Sequence, residues 1–149
     1  MPQIETARTT LNISDHRQPD ATSIPTLLIH GAGGSRLVWP GEIRRRPEAS
    51  TIAIDLPGHG KSPGNGRTSI AEYAADTVAL LDALNIPQAV VCGHSMGGAI
   101  AQTLALDFSD RVAGVILIST GAKLRVHPDL LQHSQTNIEA AADLLDQWL

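Results

Sequence analysis

Four short runs of hydrophobic residues stand out along the chain, and none of them alternates between apolar and polar positions. Runs of this kind, rich in Val, Ile or Leu, are typical of strands that lie buried on both faces of a parallel sheet. The sequence therefore predicts four buried strands: TLLIH from Thr26, TIAID from Thr51, AVVCG from Ala89 and GVILI from Gly114.

A helical pattern separates the second and third runs, because apolar residues between positions 70 and 84 recur every three or four residues. Ser69 and Glu72 have the spacing of a capping box, and Asn85 is a residue type that accepts the left-handed conformation at a helix end. We therefore expect an amphipathic helix over about 70–84. The segment MGGAIAQTLALDF, which starts at Met96, predicts another helix, whose small residues allow close packing on a sheet.

Strands that alternate with helices indicate an α/β fold with a mostly parallel sheet and right-handed crossovers. Upstream, TTLNIS from Thr9 to Ser14 alternates in polarity and predicts a half-exposed antiparallel strand at the edge of that sheet. Downstream, TNIEAAADLLDQWL predicts a capped amphipathic helix that ends on Trp148 and Leu149. Because that end is apolar, we expect further sequence or a partner to cover it.

The length of 149 residues favours a single domain, and 42% hydrophobic and 17% charged residues are typical of globular proteins. A net charge of -4 and a short basic cluster at Arg44–Arg46 argue against a nucleic-acid partner. The sequence has neither a secretory leader pattern nor an apolar run of membrane-spanning length, so we expect a cytoplasmic protein with no membrane partner. The single cysteine, Cys92, excludes an internal disulfide and a thiolate-rich metal site. We expect no metal and no cofactor.

The pentapeptide GHSMG, from Gly93 to Gly97, places one serine between two glycines. The bare pattern G-x-S-x-G is weak evidence, since it arises by chance in roughly one chain in twenty of this length. Its position is stronger evidence, because it joins a predicted buried strand to a predicted helix. Such a turn strains the backbone of Ser95, favours glycine on both sides, and holds the hydroxyl above the strand ends. Since the N–H of Met96 would stabilise an oxyanion there, Ser95 is a candidate nucleophile; a purely structural turn is the alternative.

A second glycine-rich motif, HGAGGS from His30, directly follows the first predicted strand. Its glycines let the backbone approach a ligand closely, and the N–H of Ala32 is a candidate second donor to the oxyanion. A phosphate-binding loop is the alternative, but the spacing matches neither G-x-G-x-x-G nor a P-loop with its lysine.

A third motif, DLPGHGKS from Asp55, follows the second predicted strand. Its proline and glycines form a rigid tight turn, and we interpret Asp55 as a helper that fixes this turn by hydrogen bonding. A catalytic base at His59 is the alternative.

In their order and strand context, these three motifs resemble the alpha/beta-hydrolase superfamily in its serine-nucleophile branch. The likeness covers roughly Thr9 to Arg125. It implies Ser95 as nucleophile and Ala32 and Met96 as oxyanion donors. It also implies structural support from five further residues: His30, Gly31, Asp55, Gly93 and Gly97. Relatives that act on epoxides or haloalkanes carry Asp in place of the serine, so the resemblance points to esters, thioesters, peptides or carbon–carbon bonds beside a carbonyl.

A serine needs a histidine to remove its proton and a carboxylate to orient that histidine. The resemblance implies that both come later in the chain, from loops after two further strands. None of the downstream acids and histidines fits that place: Asp129, Glu139, Asp143, Asp146, His127 and His133. We therefore expect an incomplete alpha/beta-hydrolase fold that lacks the C-terminal strands and most of the cap. In it, residues 1–126 form the N-terminal part of the core and 127–149 start a helical cap.

The resulting hypothesis is a serine hydrolase of carboxylic esters or related acyl compounds, which acts through an acyl-enzyme on Ser95. As a truncated form it would have weak or no activity alone. Two alternatives stay open: a ligand-binding protein or receptor on the same fold, and a non-catalytic fragment or split protein. The expected partners are a small acyl substrate and, through the exposed sheet edge and the C-terminal helix, a second copy or another chain.

Overall fold

The computed structural model describes residues 2–18, 23–46, 48, 50–123 and 126–147. Its strands are β1 (Gln3–Glu5), β2 (Thr10–Asp15), β3 (Thr26–Ile29), β4 (Thr51–Ile54), β5 (Ala89–His94) and β6 (Val112–Ile118). They form one sheet in the order β1-β2-β4-β3-β5-β6. Strands β3, β4, β5 and β6 are parallel, whereas β1 pairs antiparallel with β2 and β2 pairs antiparallel with β4. The mostly parallel sheet predicted from the sequence is confirmed.

The α-helices of the described residues are α1 (Gly41–Arg44), α2 (Ile70–Ala83), α3 (Met96–Asp107), α4 (Pro128–Thr136) and α5 (Ile138–Asp146). Short 3-10 helices lie at Arg36–Val38 and Ser109–Arg111. Helix α2 matches its prediction within one residue, and its capping box is formed. Asn85, just beyond it, has the expected left-handed backbone, with a φ of 53°. None of the helices described is both long and apolar enough to cross a membrane.

Alternate residues of the central strands contribute to two hydrophobic clusters, as expected for a sheet with two buried faces. Leu27 and Ile29 of β3 belong to the main cluster with Leu80 of α2 and Leu104 of α3. Leu28, between them, joins a smaller cluster with Trp39, Ala53 and Cys92. Since β3, β4 and β5 are parallel, the segments that follow residues 29, 54 and 94 meet at one edge of the sheet. This edge brings the three sequence motifs together.

The structure corrects the prediction that the strand at Thr9–Ser14 is a half-exposed edge strand. Its antiparallel pairing is confirmed, but β1 lies outside it, so β2 is an interior strand. The polar residues of its alternating pattern are also buried, with Asn12 at 2% and Ser14 at 4% exposure. Instead of facing solvent, they face a buried polar cluster in which Asn12 bonds to Asp55 and Ser14 to Arg36.

Strand β6 departs from its prediction in the opposite sense. The sequence predicts burial on both faces, yet residues 115–118 are between 39% and 47% exposed. The reason is that, among the described residues, β6 pairs with β5 alone and forms the outer edge of the sheet. The expected exposed apolar edge is therefore present in the structure.

The C-terminal segment forms two consecutive helices, α4 and α5. Asn137 ends the first and caps the second, because its Oδ1 accepts the N–H of Ala140. This confirms the predicted capped helix, whereas the predicted apolar end at Trp148 and Leu149 lies outside the described residues. Leu145 of α5 lies against the glycine-rich loop after β3, since a Cβ added to Gly33 would be 3.4 Å from its Cδ1. The boundary between core and cap at residue 126 stays a prediction.

Candidate functional site

The candidate nucleophile lies on a strained turn. Ser95 separates β5 from α3 and has φ 52° and ψ −117°, a conformation that costs a non-glycine residue about 1–3 kcal/mol. The turn is fixed on both sides, because the N–H of Ser95 donates to Ile118 O at 3.0 Å and the N–H of Gly98 donates to Ser95 O at 2.9 Å. The strain predicted for this residue is thus present, and the half-buried serine remains open to solvent.

The two glycines of the pentapeptide are required by close backbone contacts. A Cβ added to Gly93 would lie 2.1 Å from Gly97 O, and one added to Gly97 would lie 2.2 Å from Ile29 O. Both distances are far below van der Waals contact. Only hydrogen fits at these positions, so the glycines allow β5, α3 and the end of β3 to meet at the serine.

The glycine-rich loop lies directly beside Ser95. A Cβ added to Gly31 would be 3.1 Å from Ser95 Cβ, and the next residue, Ala32, is exposed. Met96 is the first residue of α3, where backbone N–H groups have no acceptor inside the helix. Met96 thus follows the serine directly in sequence, and Ala32 follows a glycine that lies beside the serine, while the role of both as oxyanion donors stays a prediction.

His30 fastens this loop to the turn after β4. The side chain is fully buried, its Nε2 accepts the N–H of Leu56 at 3.0 Å, and its Nδ1 lies 2.6 Å from Gly31 O. Because Nε2 is an acceptor, we assign the proton to Nδ1, which then donates to Gly31 O. Burial lowers the pKa of His30 to about 4. The ring is therefore neutral near pH 7, and with both nitrogens engaged it has no capacity to act as a base.

Asp55 is the centre of a buried polar cluster. Its fully buried carboxylate accepts hydrogen bonds from Asn12 Nδ2 at 2.7 Å, from the N–H of Lys61 at 2.9 Å, and from both the N–H and Nη1 of Arg36. Burial raises the pKa of this carboxyl, but the hydrogen bonds and the charge of Arg36 outweigh it and hold the pKa below its usual value. The bond to Lys61 joins the two ends of the predicted DLPGHGKS turn, while the supporting role of Asp55 in the site stays a prediction.

Arg36 and Asn12 are members of this cluster that sequence reasoning missed. A single arginine after a glycine-rich loop and a single asparagine in an alternating strand carry no local signal of burial. A polar residue in the middle of an interior strand would indicate a buried polar contact. That sign can be used only once β2 is known to lie inside the sheet, next to β1.

None of the six histidines hydrogen-bonds to Ser95 within the part of the chain that the structure describes. His59 is oriented by Pro57 O, 3.0 Å from its Nδ1, and its ring lies 5.1 Å from that of His30. His94 is a half-buried neighbour of Gly31, and its Nδ1 would be 3.3 Å from a Cβ there. His127 is an exposed cap of α4.

The remaining downstream candidates are no better placed. His133 lies on α4, and its backbone carbonyl accepts from Asn137. Asp129, Glu139 and Asp143 are exposed on α4 and α5, and the side chain of Asp146 lies outside the described residues. Among the described side chains, none of these hydrogen-bonds to Ser95, and the absence of a triad acid and histidine from the chain stays a prediction.

Two other kinds of site, a cavity and a metal-binding cluster, would be alternatives to the serine turn. A cavity of about 570 Å³, lined by Arg17, Pro25, Ser50 and Pro87 among others, lies at the opposite edge of the sheet, where the parallel strands begin. No group of three or more His, Cys, Asp or Glu side chains among the described residues is arranged to hold a metal ion. The serine turn therefore remains the candidate site.

The sequence matches the family described as alpha/beta hydrolase fold over residues 25–148. Over 95 residues, it is 42% identical to the dihydrolipoyllysine-residue acetyltransferase component of the acetoin cleaving system of Cupriavidus necator, covering 62% of this chain and 25% of that protein. Over 117 residues, it is 38% identical to 3-oxoadipate enol-lactonase 2 of Acinetobacter baylyi, covering 76% of this chain and 43% of that protein.

A solved structure of a thermophilic esterase superimposes with a TM-score of 0.78 at 31% identity and covers 96% of this chain and 53% of the esterase. The chain thus spans between 25% and 53% of the length of these three proteins. The family match covers most of the chain, and the sheet order and the serine turn agree with it. The chain therefore belongs to the alpha/beta-hydrolase family.

Proposed function

We propose that the protein is a serine hydrolase of carboxylic esters or related acyl compounds, and that it acts through an acyl-enzyme on Ser95. The observation that carries the proposal is the backbone of Ser95, at φ 52° between a buried strand and a helix, with the Gly31 loop beside it. A strained serine turn of this kind persists only where the surrounding structure holds it, and such strain clusters at active sites.

In the proposed reaction, Ser95 Oγ attacks the carbonyl carbon of the acyl group while a base accepts the hydroxyl proton. The carbonyl oxygen becomes an oxyanion, which accepts hydrogen bonds from the N–H groups of Ala32 and Met96. Removal of one such donor slows catalysis by about 10²- to 10³-fold in characterised enzymes. Collapse of the intermediate expels the alcohol and leaves the acyl group on Ser95, and water then attacks this ester to release the acid.

The base is the part of the reaction that the described residues do not provide. Buried, neutral His30 is already engaged at both nitrogens, and none of the other histidine side chains hydrogen-bonds to the serine in the described part of the chain. We propose that the base and its carboxylate come from polypeptide other than the described residues. Without them, the oxyanion donors retain only a residual acceleration.

For the substrate, we propose esters that include cyclic ones. The enol-lactonase of A. baylyi and the thermophilic esterase both carry ester hydrolysis in their names, and both are similar to this chain over most of its length. A lactone and an open-chain ester both contain an ester carbonyl, so the same serine can attack either substrate.

The proposal is tested by labelling with a fluorophosphonate, which phosphonylates activated serines. The wild-type chain is compared with Ser95→Ala, with and without added imidazole as a substitute base. A matched control is Ser119→Ala, because Ser119 is an exposed serine that, like Ser95, has a positive φ (47°). We expect imidazole to accelerate labelling of the wild type and of Ser119→Ala, and to leave Ser95→Ala unlabelled. Equal labelling of Ser95→Ala, or no labelling of the wild type with imidazole, contradicts the proposal.

A second candidate function is reversible binding of an acyl ligand without turnover. It is favoured by one observation, the lack of a histidine bonded to Ser95 among the described residues. Calorimetric titration of Ser95→Ala with a non-hydrolysed ester analogue separates the two functions. A binder is expected to retain full affinity and to leave the fluorophosphonate unreacted even with imidazole.

A further inference from the structure

A buried arginine lies at the end of the loop that carries Ala32. Arg36 is only 3% exposed, and arginine is rarely buried in proteins unless its charge is paired. Its Nη1 donates to Asp55 Oδ2 at 2.7 Å and its Nε to Ser14 Oγ at 3.0 Å, while its backbone N–H donates to Asp55 Oδ1 at 2.6 Å. Arg36 is thus joined through both side chain and main chain to the turn after β4, and through its side chain to β2.

The loop segment 31–35 is held by hydrogen bonds at both ends, from His30 and from Arg36. At one end, His30 links Gly31 O to the N–H of Leu56. At the other end, Arg36 binds Asp55, the residue just before Leu56. Both residues therefore hold the loop to the same short stretch after β4. Gly31, between them, lies beside Ser95, since a Cβ added to it would be 3.1 Å from Ser95 Cβ.

The loop has little rigidity of its own. Three of its five residues are glycine, and glycine loses more conformational freedom on ordering than any other residue. Within the loop, the N–H of Gly34 donates to Gly31 O, but its far end is fixed by Arg36. An oxyanion donor acts only within about 2.7–3.1 Å of the oxygen it stabilises. A small displacement of Ala32 would therefore remove its effect.

We propose that Arg36, through Asp55, is a positioning residue that holds the N–H of Ala32 in place beside Ser95. The inference rests on the proposed function, because it assigns Ala32 as an oxyanion donor. Arg36 does not touch the substrate; it acts on the loop.

A second arginine–aspartate cluster in the molecule supplies a matched control. Asp76 on α2 is 1% exposed and pairs with Arg67 at 2.6 Å and with Arg8 at 2.8 Å. It joins α2 to Arg67, twelve residues beyond Asp55 in the preceding loop, and to Arg8 in the β1–β2 turn. Loss of Arg67 therefore removes one of the two arginine partners of a buried aspartate, and the hydrogen bonds of the Arg67 side chain go to Asp76 rather than to the loop at 31–35.

The experiment compares Arg36→Met, Arg36→Lys and Arg67→Met with the wild-type chain. Hydrogen exchange followed by mass spectrometry measures the peptide that covers 31–38, which contains the bonded amides of Gly34 and Val38. The rate of fluorophosphonate labelling in imidazole measures Ser95. We expect Arg36→Met to speed exchange of this peptide and to slow labelling by at least about tenfold, since a misplacement of 1 Å can cost about 100-fold in rate. Arg36→Lys should recover part of both, and Arg67→Met should change neither.

Equal exchange of the 31–38 peptide in Arg36→Met and Arg67→Met overturns the inference and leaves Arg36 a purely structural residue. If Arg36→Met fails to fold, Asp55→Asn removes the charge with little change of shape, and the same two measurements apply. A wild-type chain that is not labelled contradicts the proposed function, whereas the exchange measurement, which needs no reagent, still decides whether Arg36 holds the loop.

Discussion

The serine turn and strand β6 are adjacent, yet their surroundings differ sharply. The N–H of Ser95 donates to Ile118, the last residue of β6, so the two regions share a hydrogen bond. Around Ser95, backbone atoms come so close that Gly93 and Gly97 have no room for a methyl group. In β6, the apolar side chains of residues 115–118 are 39–47% exposed. The comparison shows that an apolar run predicts a strand, while its neighbours decide whether it is buried.

The largest expected effect comes from filling the contact at the serine turn. Gly97→Ala places a methyl group 2.2 Å from Ile29 O, so the backbone must shift, and we expect a loss of about 4 kcal/mol or more in the free energy of unfolding. Gly114→Ala in β6 is the control, because its Cβ would lie 3.8 Å from Val90, an ordinary contact. Urea denaturation measures both. Similar losses in the two variants would remove the contrast between the regions.

Truncation of equivalent isoleucines should reveal the same contrast in hydrophobic burial. Ile52 of β4 is fully buried, and Ile52→Ala is expected to lower the free energy of unfolding by roughly 3 to 4 kcal/mol. Ile116 of β6 is 46% exposed, and Ile116→Ala should lower it by less than about 1 kcal/mol. Urea denaturation of both variants gives the difference. A loss at Ile116 as large as that at Ile52 would show that β6 is covered in solution.

The two regions also differ in their response to pH, since β6 has no titratable side chain. The folded-state pKa of His30 is about 4, below its ordinary value of 6.5, so the unfolded chain binds its proton first. The contribution of neutral His30 to the free energy of unfolding is therefore complete above pH 6.5. As the pH falls from 6.5 towards 4, the free energy of unfolding decreases by about 3 kcal/mol in all. Urea denaturation across this range measures it. In His30→Gln, this part of the pH dependence should disappear; an unchanged pH profile would assign it to other groups.

The substitution with the smallest expected effect on stability is one that should change self-association of the chain. Ile116→Lys places a charge on the exposed β6 edge, which should reduce self-association measured by light scattering, because charged residues protect sheet edges. We expect the free energy of unfolding to change by less than about 0.5 kcal/mol. Leu106→Lys, on the 82% exposed Leu106 of α3, is the control and should not reduce association. An equal reduction in both would attribute the effect to net charge alone.

Local signals predicted the elements that position the serine. The capping box of Ser69 and Glu72 and the glycines at 93 and 97 act within a few residues, and both features are present in the structure. The missed features depend on distant parts of the chain. Strand β1 is only three residues long, and the pair of Arg36 and Asp55 spans 19 positions. The exposure of β6 depends on which strands lie beside it, a fact that its own sequence does not encode.

The central claim, that the folded turn makes Ser95 a nucleophile, is tested most directly by locating the fluorophosphonate adduct. The wild-type chain is labelled in imidazole, both folded and in denaturing urea, and the modified peptide is identified by tandem mass spectrometry. We predict one adduct, on Ser95, that forms in the folded chain and is lost in urea. Adducts spread over several serines, or an equal yield at Ser95 in urea, would contradict the account.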